Sequence, residues 1–185
     1  RGLGDVYKRQ VFAPANGTTF VDKLTVGASC STEGATIYYT KDGAEPTTGS
    51  DKFPTEGVTL TETTTLKAIA VKDGLDNSEV VTATYTKLEP YASLKALKES
   101  GIATEEGKPC VVELKDAVVT YADSRKAYIQ DETAGLYVFG SNKLKAGTKL
   151  NGVVAAQLAL YFGLYELKVD GGEFDNVAVT NDVEI

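Results

Sequence analysis

The chain contains no histidine, no tryptophan and no methionine. Without histidine, Ser-His-Asp and Cys-His catalysis, His-ligated metals and the usual near-neutral pH switch are excluded. Cysteine is almost absent: Cys30 and Cys110 are the two in 185 residues. Two thiols and no imidazole cannot fill the four positions of a zinc site, so no metal is expected. Positive charge is also short, with 19 basic against 26 acidic residues and a net charge of -7. A nucleic-acid surface needs clustered Lys and Arg, so nucleic acid is not an expected partner. The glycine runs lack the Gly-Lys-Ser/Thr of a Walker-type phosphate loop, and no cofactor is expected. Together these absences turn the reading away from an enzyme.

What is present favours strands and turns. Threonine, valine, tyrosine and glycine are frequent, apolar content is 42%, and the length fits one large domain or two small ones. The opening "RGLGDVYKRQ" carries Arg1, Lys8 and Arg9 without strand or helix periodicity. It resembles adapter sequence translated at the start of assembled metagenomic reads, and residues 1–10 are set aside as an artefactual tail. Without them, 16 basic residues face 25 acidic ones. The end, "TNDVEI", has no obvious closing element, so the chain reads as an internal fragment, possible truncation at Ile185 included.

From residue 11 to 86, short strands alternate with turns. In "LTVGASCS", Leu24, Val26, Ala28 and Cys30 share one face; in "ATIYYT", Ala35, Ile37 and Tyr39 do. "TTTLKAIAVK" presents Leu66, Ala68 and Ala70 to a core, and "EVVTATYT" closes the unit. Turns fall at Asn16-Gly17, Asp42-Gly43 and Asp73-Gly74, where Asp or Asn can bond the backbone two residues on and Gly accepts positive φ. Pro46 stops the next segment from continuing as a central strand. This spacing predicts an immunoglobulin-like β-sandwich. Tyr38 and Tyr39 fall on opposite faces, one for the core and one outside, where a sugar ring could stack on it.

"IYYT" with Asp42-Gly43 and Pro46, followed by "TTTLKAIAVKDG", resembles the chitobiase/β-hexosaminidase C-terminal domain over residues 11–86. The resemblance implies an accessory module appended to secreted or surface proteins, often ones acting on carbohydrates. It does not imply the glycosidase activity, which belongs to a separate catalytic domain. An extracellular or cell-surface location follows from the resemblance alone.

Residues 87–107 read as a linker with a short helix: Leu94 and Leu97 are three apart, Ser93 suits an N-cap and Gly101 a stop. Strands resume at residue 108 as "PCVVELKDAVVTYA", "RKAYIQDETAGLYVFG", "GTKLNGVVAAQLALYFG" and "LYELKVDG", with a hairpin turn from Asp131 to Gly135. Gly152 and Gly163 interrupt apolar runs, as expected where strands bend strongly. Such long, coiled strands predict a small OB-like β-barrel over residues 108–185. "KAYIQDETAGLYVFGS" with "LKAGTKLNGVVAAQLALYFGLYELKV" resembles the OB-fold-like domains of Bacteroidota surface and secreted proteins. The fold class is therefore all-β: a sandwich, one short helix, then a barrel.

Candidate chemistry is sparse. Cys30 and Cys110 share parity with apolar neighbours and read as small core thiols, with an interdomain disulfide disfavoured by Cα separation. Asp73, Asp76 and Glu79 could supply calcium oxygens, but their spacing is not that of an EF-hand loop and a solvated turn explains them. Acidic residues are scattered, so spacing selects no carboxylate pair for glycoside hydrolysis. The aromatic set Tyr121, Tyr128, Tyr137, Phe139, Tyr161, Phe162 and Tyr165 reads mostly as core or cross-strand packing. Because OB folds bind through strands two and three, ligand contact is placed at Tyr128, Gln130 and Tyr137. Tyr128 and Gln130 face outward if Ile129 faces inward, while Leu136 and Val138 compete with Tyr137 and Phe139 for the core. From Lys87 onward there are 11 basic and 15 acidic residues, so a neutral glycan or a protein segment suits this half better than a polyanion. The leading reading is a monomeric, non-catalytic accessory or spacer fragment with a glycan- or protein-binding face and no membrane insertion. The rival readings are a fragment of a carbohydrate-active enzyme and a nucleic-acid-binding OB domain.

Overall fold

The computed structural model describes residues 10–140 and 142–180. It is 52% strand and 4% helix, with sandwich-like sheets and then a closed five-stranded barrel. The chain divides into two compact units between Lys87 and Leu88.

In the first unit, β1 (Gln10–Ala13), β3 (Leu24–Cys30) and β6 (Val58–Leu60) form one antiparallel sheet in the order β1-β3-β6. The second sheet runs β2-β8-β7-β4-β5, built from β2 (Thr19–Phe20), β4 (Thr36–Thr40), β5 (Asp51–Lys52), β7 (Thr64–Val71) and β8 (Val81–Lys87). Period-two alternation puts the expected residues inside. Val26, Leu66 and Ala68 are fully buried with Phe12, Phe20, Val58 and Leu60, and Ile37 and Tyr39 pack against them. Tyr85 is the largest side chain in this core. Its hydroxyl keeps a partner by donating to the Pro14 carbonyl at 2.8 Å, and burial pushes its pKa up.

The three Gly turns form where expected. At Asp42-Gly43 the Ala44 N–H donates to the Asp42 carboxylate at 3.0 Å, and Gly43 has φ of 77°. That stretch is a corner of the scaffold. Gln10 belongs to the fold rather than to the tail: it opens β1 opposite Cys30, is 5% exposed, and lies against the Ser78 hydroxyl. The other residues set aside as artefactual, 1–9, lie outside the described residues, as does Ile185.

The second unit contains α1 (Leu94–Glu99), β9 (Lys108–Ala122), β10 (Lys126–Gln130), β11 (Gly135–Gly140), β12 (Lys149–Tyr161), β13 (Leu164–Val169) and β14 (Ala178–Thr180). Pairing runs β9-β10-β11-β13-β12 and returns to β9, with β14 added along β12. All barrel pairs are antiparallel except β11–β13. Taking the five strands in chain order, this is 1-2-3-5-4-1, a closed Greek-key barrel of OB-like order. Closure removes the sheet edges within the barrel.

Inward parity buries Leu114, Val119, Ile129, Val138, Leu150, Leu158 and Leu167. Ser93 caps α1 by accepting from the Ala96 N–H, and Leu94 and Leu97 enter the barrel core. Residues 88–107 are thus no free linker. Tyr91 N–H donates to Val111 O at 2.9 Å, and Leu160 N–H donates to Thr104 O at 3.0 Å, so this segment is bonded to the barrel wall. Gly152 sits at a β-bulge with φ of 142°, as a strand bend requires. Gly163 is different: it belongs to the tight turn joining β12 to β13, not to a bend within a strand.

Candidate functional site

The outer face of β9, β10 and β11 carries a row of aromatic rings. Its cause is register. The Asp131–Gly135 turn sets Tyr128 opposite Tyr137, and a bulge at Thr120 sets Tyr121 opposite Tyr128. Ile129 is fully buried and Leu136 and Val138 face inward, so Tyr128, Gln130, Tyr137 and Phe139 all face outward. Ring centroids are 6.2 Å apart from Tyr121 to Tyr128, 5.1 Å from Tyr128 to Tyr137 and 6.2 Å from Tyr137 to Phe139. Arg125 lies over the Phe139 ring at 5.8 Å and closes that end of the row.

Of the aromatic set expected mostly as core or cross-strand packing, Tyr165 packs against the core, Tyr121, Tyr128 and Tyr137 pair across strands on the outer face, and Tyr161 and Phe162 are exposed. Parity against the buried Ile129 places Tyr128 outside, whereas Tyr121 shares the sequence parity of the buried Val119 and turns outward only through the bulge at Thr120. Sequence reasoning did not single out Tyr121 or Phe139 for binding. They become part of the row through cross-strand register.

Tyr128, Gln130 and Tyr137 do come together. With Thr120, Leu164 and Tyr165 they line a groove of about 290 Å³. Gly135 is the cross-strand partner of Gln130 on β11, so no side chain covers the amide from that strand. The amide offers one acceptor and two donor hydrogens to a ligand. Lys98 is the only charged residue of the lining; it donates to Gly135 O at 3.2 Å and lies 5.8 Å from the centroid of the Tyr165 ring.

The hydroxyls of Tyr121 and Tyr137 stay protonated at neutral pH, since both are pushed above the usual tyrosine value. The hydrogen bond to Asp123, at 3.0 Å, pushes Tyr121 upward, reinforced by that carboxylate's charge. Desolvation pushes Tyr137 upward, helped by the negative charge of Glu166 on β13. Asp123 is held low chiefly by the Arg125 N–H. The face therefore presents neutral donors and flat apolar rings.

Asp131 anchors this region from behind. Its carboxylate accepts from the Leu94 N–H at 2.8 Å, from the Thr133 and Ala134 N–H groups at 2.8 Å each, and from the Thr133 hydroxyl at 2.6 Å. Burial alone would raise its pKa, but these donors outweigh burial and hold it below the usual carboxylate range.

The groove lining contains no carboxylate. Another hollow of about 330 Å³ lies around Leu150, Phe174 and Val177, and its one carboxylate, Asp175, pairs with Lys143 at 3.1 Å. Neither places two carboxylates face to face, so the geometry of acid–base glycoside cleavage is not formed in them. Among the described residues no three His, Cys, Asp or Glu side chains converge, and Asp73, Asp76 and Glu79 are exposed in the β7–β8 connection. Cys30 and Cys110 are free thiols. Cys30 is half-buried rather than core, and desolvation pushes the buried Cys110 up to about 11. Among the described residues no helix is long and apolar enough to cross a membrane.

In sequence, the β-sandwich precedes a closed five-stranded barrel whose outer face carries the aromatic row. Residues 14–82, less than half of the chain, match the model of the chitobiase/beta-hexosaminidase C-terminal domain. That domain is a non-catalytic accessory part of glycosidases. No curated protein and no solved structure matches the chain.

Proposed function

We propose that this chain is a non-catalytic accessory piece of an extracellular or cell-surface protein, in which the sandwich acts as a spacer and the barrel holds a neutral glycan. The observation that carries the reading is the outward convergence of Tyr128, Gln130 and Tyr137 on one groove without a carboxylate. Sugar rings have apolar faces and hydroxylated edges. The tyrosine rings match the first, and the Gln130 amide and tyrosine hydroxyls match the second. A polyanion is a poorer fit, because the groove has a single lysine already engaged with Gly135 and Tyr165. The glycosidase association of the family matched by residues 14–82 supports a carbohydrate setting.

A glycan array of neutral polysaccharides, run beside a single-stranded DNA titration at low salt, tests the proposal. Binding to a neutral glycan that is lost in Tyr128→Ala and Tyr137→Ala is the expected result. Tight, salt-sensitive DNA binding would defeat it. Silence in both assays would leave the spacer role alone.

A further inference from the structure

β14 lies outside the five strands that close the barrel, added along the start of β12. Residues directly opposite in an antiparallel pair share a face of the sheet. Val179 stands opposite Leu150, so both point to the side of the barrel core. Leu150 is fully buried there, yet Val179 is 54% exposed. The core face thus runs along β14 past the barrel wall and ends uncovered. It ends in the hollow of about 330 Å³, whose apolar lining is Leu144, Leu150, Phe174, Val177 and Val179. This hollow shares no lining residue with the tyrosine groove. It also lies at the end of the barrel away from α1, which is bonded to the Asp131–Gly135 turn, whereas the hollow begins past the other end of β11.

Two further features converge on it. Among the described residues β14 pairs with β12 alone, and Ala178, Val179 and Thr180 are all exposed. Every second residue of such an edge turns its N–H and C=O outward, a template for another strand. The local charge is also reversed. In a chain of net charge -7, residues 133 to 165 include no Asp or Glu, and their charged side chains are Lys143, Lys145 and Lys149. Lys143 pairs with Asp175, while Lys145 and Lys149 have no acidic partner among the described residues. Lys145 lines the hollow, and Lys149 stands opposite Thr180 at the far end of β14. A small apolar carboxylate would use the hollow and Lys145 but leave the open edge and Lys149 idle; an extended peptide uses all four.

We propose that β14 is a docking edge for an extended, acidic segment of a partner protein. The segment adds as a strand along β14, sets an apolar side chain beside Val179 in the hollow, and brings carboxylates to Lys145 and Lys149. The glycan groove takes no part in it.

Fluorescence anisotropy on the full chain tests this with a labelled, end-capped peptide of alternating Glu and Leu. Its controls are the same peptide with Lys in place of Glu, the same peptide N-methylated at alternate peptide groups, and octanoate as competitor. Binding of the unmethylated acidic peptide alone is the expected result. Val179→Asp should keep the wild-type melting temperature and weaken binding by about tenfold, the worth of one buried Val side chain. Lys145→Ala and Lys149→Ala should each weaken it by about two- to fivefold. No binding at millimolar peptide, equal binding of either control peptide, full displacement by octanoate, or unchanged affinity in Val179→Asp would overturn the proposal. A dimer of the chain that Val179→Asp abolishes would overturn it in favour of a second copy. Tighter binding by a variant ending at Thr180 would overturn it in favour of the chain's own residues 181–185.

Discussion

Replacing Asp131 with Ala removes the acceptor of four hydrogen bonds at once. Thr133 is exposed and its two donors can turn to water, but Leu94 is fully buried and its N–H cannot. An unpartnered buried donor that had bonded a charge costs about 1.5–3 kcal/mol, and loss of the turn bonds at Thr133 and Ala134 brings the total to about 3 kcal/mol. For a unit of this size that lowers the melting temperature by roughly 15 °C. Asp131→Asn should cost nearly as much, because both carboxylate oxygens accept and the amide replaces one of them with a donor. The pH dependence has a definite sign. The folded-state pKa lies below the unfolded value of about 3.9, so the stabilisation is present above that pH and is lost as pH falls through the folded pKa. Wild type should therefore lose barrel stability in acid with a component that Asp131→Asn lacks. Scanning calorimetry from pH 7 to below pH 3 measures both effects. A loss under about 1 kcal/mol in Asp131→Ala, or identical acid slopes in wild type and Asp131→Asn, would refute the anchoring role.

Gly140→Ala should unfold the barrel or cost more than about 3 kcal/mol in urea melts, since a Cβ there would stand 1.8 Å from the Val169 carbonyl oxygen at a φ of 124°. Cys110, buried and pushed up to about 11, should stay unlabelled by iodoacetamide in the native protein at pH 8 and react on unfolding; native labelling would place it at the surface. Residues 10–87 expressed alone should unfold cooperatively, because both sheets and the shared core around Leu66 and Tyr85 lie within them; an aggregated product would show that the sandwich needs the barrel.

Local physics made much of this protein legible in its sequence. Period two placed Val26, Leu66 and Ala68 inside, Asp-Gly and Asn-Gly marked turns, and Ser93 marked the start of α1, because alternation, positive φ and helix capping each act over a few residues. The same alternation set Tyr128 and Gln130 against Ile129. Contacts between distant residues decided the rest. Gln10 joined the fold because Cys30 and Ser78, far along the chain, lie beside it, and Asp131 became an anchor because α1 brings Leu94, 37 residues earlier, to its carboxylate. A bulge at Thr120 placed Tyr121 beside Tyr128 and extended a pair of rings into a row. Strand pairing turned Gly163 from a bend into a hairpin corner and left Phe162 at its tip, since register, bulges and barrel closure depend on which strands meet.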